Sequence, residues 1–155
     1  MRRALLLTIA ATLAACQTTL DTPPANPKAV IAERVAVMKG FGGALAASGA
    51  FVQGKGTAEA ARAKLATAVA NADRLPGLFP RGTALGDKNA PTSRALSTIF
   101  TNRDDFAAKA AAVGRALGAL DALVARGAKG EVATALNTAK AACGACHSKY
   151  RAADE

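Results

Sequence analysis

The C-terminal part of this 155-residue chain has an apolar pattern that leaves little choice of local structure. Between residues 132 and 150 the apolar positions are four, three, four, three and four residues apart: Val132, Leu136, Ala139, Cys143, Cys146 and Tyr150. That spacing places all six on one face of an amphipathic helix. Both cysteines therefore belong to the face that packs against other helices.

Three more segments have helical spacing, which predicts an all-α chain. Alanine, the strongest helix former, makes up roughly a quarter of the residues. The apolar seams are Ile31, Met38, Phe41 and Leu45 within 28–50; Ala61, Leu65, Ala68, Val69 and Ala72 within 57–75; and Phe106, Val113, Leu117, Leu120 and Val124 within 102–127. A Pro/Gly-rich crossover at 75–91 and a short turn at 93–100 separate the second and third segments. We therefore expect an antiparallel four-helix bundle.

The N-terminus is typical of an exported protein. Two arginines precede the apolar run 4–15, and residues 13–16 (LAAC) resemble the lipobox of bacterial lipoproteins. We expect residues 1–15 to be the signal peptide, Cys16 the lipidated first mature residue, 16–27 a Pro/Thr-rich tether and 28–155 the domain. Gln17 favours sorting to the outer membrane, facing the periplasm. An ordinary cleaved signal or an uncleaved anchor remains the alternative.

The chain is basic, with a formal net charge of +9 that falls by two when Arg2 and Arg3 leave with the signal. Its Lys and Arg residues are scattered through helical segments and form no block, so the pattern disfavours nucleic acid as a partner. The simplest interpretation of this charge is a solvated surface. The second interpretation is a surface that docks to an acidic partner protein.

The segment Cys143-Gly144-Ala145-Cys146-His147 has the C-x-x-C-H spacing of a covalent haem c site. Two thiols three residues apart on a helix can add to the two vinyl groups of a porphyrin, and His147 can reach the iron. A redox thiol pair would lie at a helix N-terminus rather than in the last turns of a helix. A disulfide is strained at this spacing, and zinc lacks ligands in a chain with one His.

Nearly the whole domain resembles the class II cytochromes c, the cytochrome c prime family. Residues 34–38 resemble its R-x-x-x-[ML] signature, and residues 75–83 its L-P…F-x-x-G-T element. Ile99-Phe100 stands where the family usually has Ile-Trp, with Phe106 a short step later, and residues 143–151 fit the ending C-x-x-C-H-x-x-[YF]-[RK]. The resemblance implies a four-helix bundle with one covalent haem c on its C-terminal helix.

The resemblance also implies the roles of individual residues. Cys143 and Cys146 would form the thioethers and His147 would be the axial iron ligand, with the first helix covering the opposite, distal face. Arg34 would pair with a haem propionate, the alternative being an arginine that extends to the bundle rim. Arg151 would flank the proximal face, the alternative being a solvated tail residue.

The distal face decides between two functions. His147 is the sole His, and Met38 is the sole Met after export, so a protein sixth ligand would be Met38. With Met38 bound, the protein is a one-electron carrier; with Met38 only packed over the ring, the iron is open to NO or CO. We expect electron transfer, without enzymatic turnover because no nucleophile or acid–base pair is evident outside the haem motif. Redox proteins are the expected partners, and family members are often homodimers through the first two helices.

Overall fold

Four long α-helices form the body of the computed structural model, which describes residues 20–153. They are α1 (Pro27–Val52), α2 (Ala58–Ala72), α3 (Arg103–Ala125) and α4 (Lys129–Tyr150). Single 3₁₀ turns lie at Leu75–Leu78 and Ser97–Ile99. Helices α1 and α3 each pack against both α2 and α4, so the predicted all-α bundle is confirmed. The predicted signal peptide and Cys16 lie outside the described residues.

The helix ends follow from capping residues that the sequence makes visible. The side chains of Asn26 and Thr57 accept hydrogen bonds from the amides of Ala29 and Ala60, which caps α1 and α2. The predicted cap Asn102 does stand before α3, but its side chain makes no cap bond there. Its amide instead donates to the carbonyl of Thr98 at 3.0 Å, because the preceding 3₁₀ turn brings that carbonyl close.

The predicted seam of α3 is buried, as are those of α2 and α4 except for the half-buried Val69 and Cys143, but the seam of α1 is displaced. Its buried positions are Ile31, Arg34, Val37, Phe41, Ala44, Ser48 and Phe51, whereas Met38 and Leu45 are half-buried. Met38 and Leu45 are half-buried because both line a cavity that α1 shares with α4, and the charged Arg34 takes one of the buried positions instead. Among residues 20–153, α1 is also the helix long and apolar enough to cross a bilayer, a property that core helices share.

The crossover is fastened to the C-terminal end of α4. Ala95 and Arg151 form an isolated antiparallel bridge, in which the amide of Leu96 donates to the carbonyl of Tyr150 at 2.9 Å. The amide of Ala152 donates to the carbonyl of Arg94 at 2.8 Å. The start of α1, the crossover, the start of α3 and the end of α4 therefore lie at the same end of the bundle.

Replacing Leu120 by Ala tests the core. Leu120 is 0% exposed, so Leu120→Ala removes buried methyl groups and leaves a cavity. We expect the free energy of unfolding to fall by about 2–5 kcal/mol, measured by urea unfolding followed by circular dichroism. Leu85→Ala, in the crossover and 49% exposed, is the matched control. Equal effects of the two substitutions would contradict the assigned core.

Candidate functional site

Two cavities adjoin at the crossover end of the bundle, and the predicted site residues lie between them. The larger has a volume of about 480 Å³ and the smaller about 210 Å³. Three of the described residues line both cavities: Met38 from α1, and Cys146 and His147 from α4. Residues predicted from opposite ends of the sequence thus share the walls of one apolar space.

The C-x-x-C-H motif occupies the last turns of α4. Cys143 is half-buried and Cys146 is 6% exposed, and both thiols are free. Burial raises the pKa of both cysteines, the opposite of what activates a redox thiol pair. Burial and the charge of Arg151 lower the pKa of His147, so its imidazole is neutral at pH 7 and able to bind a metal.

Arg34 is a buried arginine that fastens α1 to the crossover. It is 4% exposed, and its guanidinium donates to Thr83 Oγ1 at 3.0 Å, to the Thr83 carbonyl at 2.7 Å and to Ser93 Oγ at 2.6 Å. The same group lies 4.8 Å from the centre of the Phe79 ring. These contacts hold residues 79–93 against the first helix at the wall of the larger cavity.

The charge of Arg34 has no carboxylate partner among residues 20–153. Burial lowers its pKa to about 10, which still leaves it charged at neutral pH. An unneutralised buried charge is costly, and an anionic group in the adjoining cavity would offset that cost. The wall of the larger cavity also contains Lys39, Arg94 and Arg151, and none of the residues between 20 and 153 that line it is acidic.

The far wall of the larger cavity is aromatic and is held by a short hydrogen bond. Phe79 packs edge-on to Phe106 at 4.8 Å between ring centres, and Phe106 packs edge-on to Tyr150 at 5.2 Å. The hydroxyl of Tyr150 donates to Asp105 Oδ2 at 2.5 Å, and Lys149 donates to the same oxygen at 3.0 Å. These bonds tie the last turn of α4 to the first turn of α3.

This arrangement fits a haem c. An apolar space spans α1 and α4, two free thiols and a neutral imidazole lie on one side, a thioether lies on the other, and a cationic wall suits propionates. Within residues 20–153, no cluster of three or more His, Cys, Asp or Glu side chains is placed to hold a metal ion directly. The individual roles predicted for the site residues stay predictions: Cys143, Cys146, His147, Arg34, Met38 and Arg151.

Sequence reasoning did not find the groups that hold these residues in place. Thr83 and Ser93 lie 49 and 59 positions from Arg34, and Asp105 lies 45 positions from Tyr150. In the sequence, Thr83 is marked only as the last residue of the L-P…F-x-x-G-T element at 75–83, with no indication of its bond to Arg34. No local signal marks Ser93 or Asp105.

Comparison with known proteins agrees with this geometry. A family model described as Cytochrome C′ matches residues 29–151. A cytochrome c-556 of Agrobacterium fabrum is 38% identical over 123 residues, which are 78% of this chain and 80% of that protein. The crystal structure of cytochrome c′ from Thermochromatium tepidum has a TM-score of 0.71 and 29% identity, over 84% of this chain and 100% of that one. A cytochrome c′ with a ligand-controlled dimer dissociation has a TM-score of 0.73 and 27% identity, with the same coverage.

Arg34→Lys tests the fastening of the crossover. Lysine keeps the charge but cannot form the three guanidinium bonds to Thr83 and Ser93. We expect a loss of about 2 kcal/mol in unfolding free energy. Faster amide hydrogen exchange confined to residues 79–96 should accompany it. Arg62→Lys is the control, because Arg62 makes one exposed ion pair with Asp121. Unchanged exchange in the crossover would contradict the assignment.

The substitution Asp105→Asn tests the hydrogen bond to Tyr150 through the pH dependence of stability. The hydrogen bonds from Tyr150 and then Lys149 lower the pKa of Asp105, so its stabilisation is present above about pH 4 and lost as pH falls through the folded value. We expect Asp105→Asn to be less stable than wild type at pH 7 and equal to it at low pH in urea unfolding. Asp104→Asn is the control on the same helical turn. A stability difference that persists unchanged at low pH would rule this out.

Proposed function

The chain belongs to the cytochrome c′ family of periplasmic c-type cytochromes, and from that premise we propose that it is a one-electron carrier with Met38 as the sixth ligand of its iron. Membership implies one covalently bound haem c. The family's haem proteins are electron carriers or gas binders. The choice between those two functions rests on the distal side of this chain.

The residues of α4 would hold the cofactor. Cys143 and Cys146 would be its covalent attachments, and His147 would bind the iron from the same helix. Haem c supplies reversible one-electron chemistry at its iron when bound. The buried charge of Arg34 would favour the reduced state of the site, because a nearby positive charge stabilises the negative charge that an added electron brings.

The apolar walls would keep water from the cofactor. Ile31, Phe79 and Ile99 are each less than 9% exposed and line the larger cavity. On the other side, Phe41 and Leu75 line the smaller one. Low local polarity of this kind helps to set the potential of an enclosed iron site.

The observation that carries the proposal is the position of Met38. It is half-buried and, in the described part of the chain, is the one residue outside α4 that lines both cavities together with His147 and Cys146. A thioether opposite a histidine is the ligand pair of electron-carrying haem c sites. The second candidate function is binding of NO or CO without turnover, which the same walls permit if Met38 only packs.

The location and partners of the protein form part of the proposal. Export and lipid attachment at Cys16 would tether the domain to the periplasmic side of the outer membrane. The exposed Lys39 and Arg151 and the half-buried Arg94 at the cavity favour acidic redox partners that dock weakly and dissociate in salt. A homodimer through α1 and α2 is compatible with their small exposed residues.

Met38→Ala separates the two functions. With Met38 bound, the wild-type holo-protein should be low-spin, should have an iron–sulfur charge-transfer band when oxidised, and should bind CO poorly when reduced. Met38→Ala should lose that band, become high-spin and bind CO readily. The measurement is the visible and near-infrared spectrum of both redox states, with and without CO.

Leu45→Ala is the matched control, because Leu45 is also half-buried on α1 and lines only the smaller cavity. It should keep the wild-type spectrum. A high-spin wild type that binds CO promptly, with an unchanged spectrum in Met38→Ala, would overturn electron transfer through a six-coordinate iron and favour gas binding.

A further inference from the structure

The segment that precedes α1 is bound to the surface of the bundle. The carbonyl of Leu20 accepts hydrogen bonds from the amide of Arg81 at 2.9 Å and from the guanidinium of Arg103 at 3.3 Å. The carboxylate of Asp21 pairs with Arg81 Nε at 3.1 Å. Residues 20 and 21, inside the predicted tether, therefore have a fixed place on the crossover.

The crossover is shaped to receive this segment. Gly82 has φ +79°, a conformation that favours glycine, and a Cβ there would lie 3.0 Å from the Cβ of Pro23. A side chain at position 82 would push Pro23 away. The fit continues to Asn26, whose side chain caps α1. The whole stretch from Leu20 to α1 thus follows the domain surface.

The bound segment lies beside the haem cavity. The guanidinium of Arg103 that contacts Leu20 also donates to the carbonyl of Phe79 at 2.8 Å, and the ring of Phe79 lines the larger cavity. Arg81 and Arg103 lie over the Phe100 ring, at 5.4 Å and 5.2 Å from its centre. One residue layer therefore separates the docked segment from the cavity.

The chain between the proposed lipid and this contact is short. Cys16 precedes Leu20 by four positions, which can span at most about 14 Å even when fully extended. The 22 residues of α4 extend for about 33 Å, so the turn between α1 and α2 lies far beyond that reach. An acyl chain on Cys16 would hold the crossover end, and not the opposite end, beside the bilayer.

We propose that the crossover end of the bundle, around the docked residues 20–23 and the exposed Thr101, is the membrane-facing side of the protein and contacts anionic phospholipid headgroups. The inference rests on the proposed lipid at Cys16 and adds the orientation of the domain. The charge of this end of the bundle suits this partner, because residues 20–33, 73–105 and 147–151 together contain eight basic residues and six acidic ones. The haem cavity then lies at the membrane end of the bundle.

Site-directed spin labelling of the lipidated holo-protein tests the orientation. With Cys16 acylated and Cys143 and Cys146 bonded to haem, Thr101→Cys or Lys55→Cys supplies the only free thiol. Thr101 follows Phe100 on the proposed surface, and Lys55 is exposed in the turn between α1 and α2. Each variant is placed on vesicles of phosphatidylethanolamine and phosphatidylglycerol that contain a gadolinium-chelating lipid, and relaxation of the nitroxide is measured.

We expect relaxation at position 101 to be enhanced severalfold over that at position 55. Inserting about ten Gly and Ser residues after Gln17 should reduce the difference, because the longer linker no longer limits distance. Equal enhancement at both positions, with the lipid on Cys16 established by mass spectrometry, would overturn the orientation and leave the anchor intact. Absence of the lipid on Cys16 would overturn both the proposed anchor and the proposed orientation. The visible spectrum of the same sample tests the proposed electron transfer separately.

Discussion

A single buried guanidinium organises the functional end of this bundle. Arg34 projects from α1 and donates to Thr83 and Ser93, so the long crossover is held against the first helix instead of extending into solvent. Its ring contact with Phe79 fixes the residue whose carbonyl anchors Arg103 and whose ring walls the cavity. Without these bonds, the cavity would still have walls from α1 and α4 but would lose the wall that the crossover supplies.

The same group also sets the electrostatics of the site. Three neutral oxygens satisfy its hydrogen bonds but leave its charge uncompensated, and the neighbouring wall adds further positive charge. A buried positive charge of this kind stabilises an anionic group placed beside it. The fastening of the crossover and much of the positive charge at the cavity wall therefore come from one side chain.

The fold was largely predictable because a helix is specified by residues close together in the sequence. The seams of α2, α3 and α4, the cap at Thr57 and the crossover all follow from residues within a few positions of each other. The α1 seam was displaced because Met38 and Leu45 line a cavity and the charged Arg34 takes a buried position, neither of which follows from the periodicity of a single helix. The C-x-x-C-H chemistry was equally local, whereas the partners of Arg34 and Tyr150 lie more than forty positions away and appear only in three dimensions.

The bridge between the crossover and the end of α4 makes the cavity wall depend on backbone pairing as well as on helix packing. Arg94, Ala95 and Leu96 pair with residues 150–152, near the end of the described part of the chain. Cys146, His147 and Tyr150 line the larger cavity within two helical turns of this bridge. Loss of residues 150–152 would therefore break the backbone bonds to residues 94 and 96 and remove the Tyr150 ring from the cavity wall in a single change.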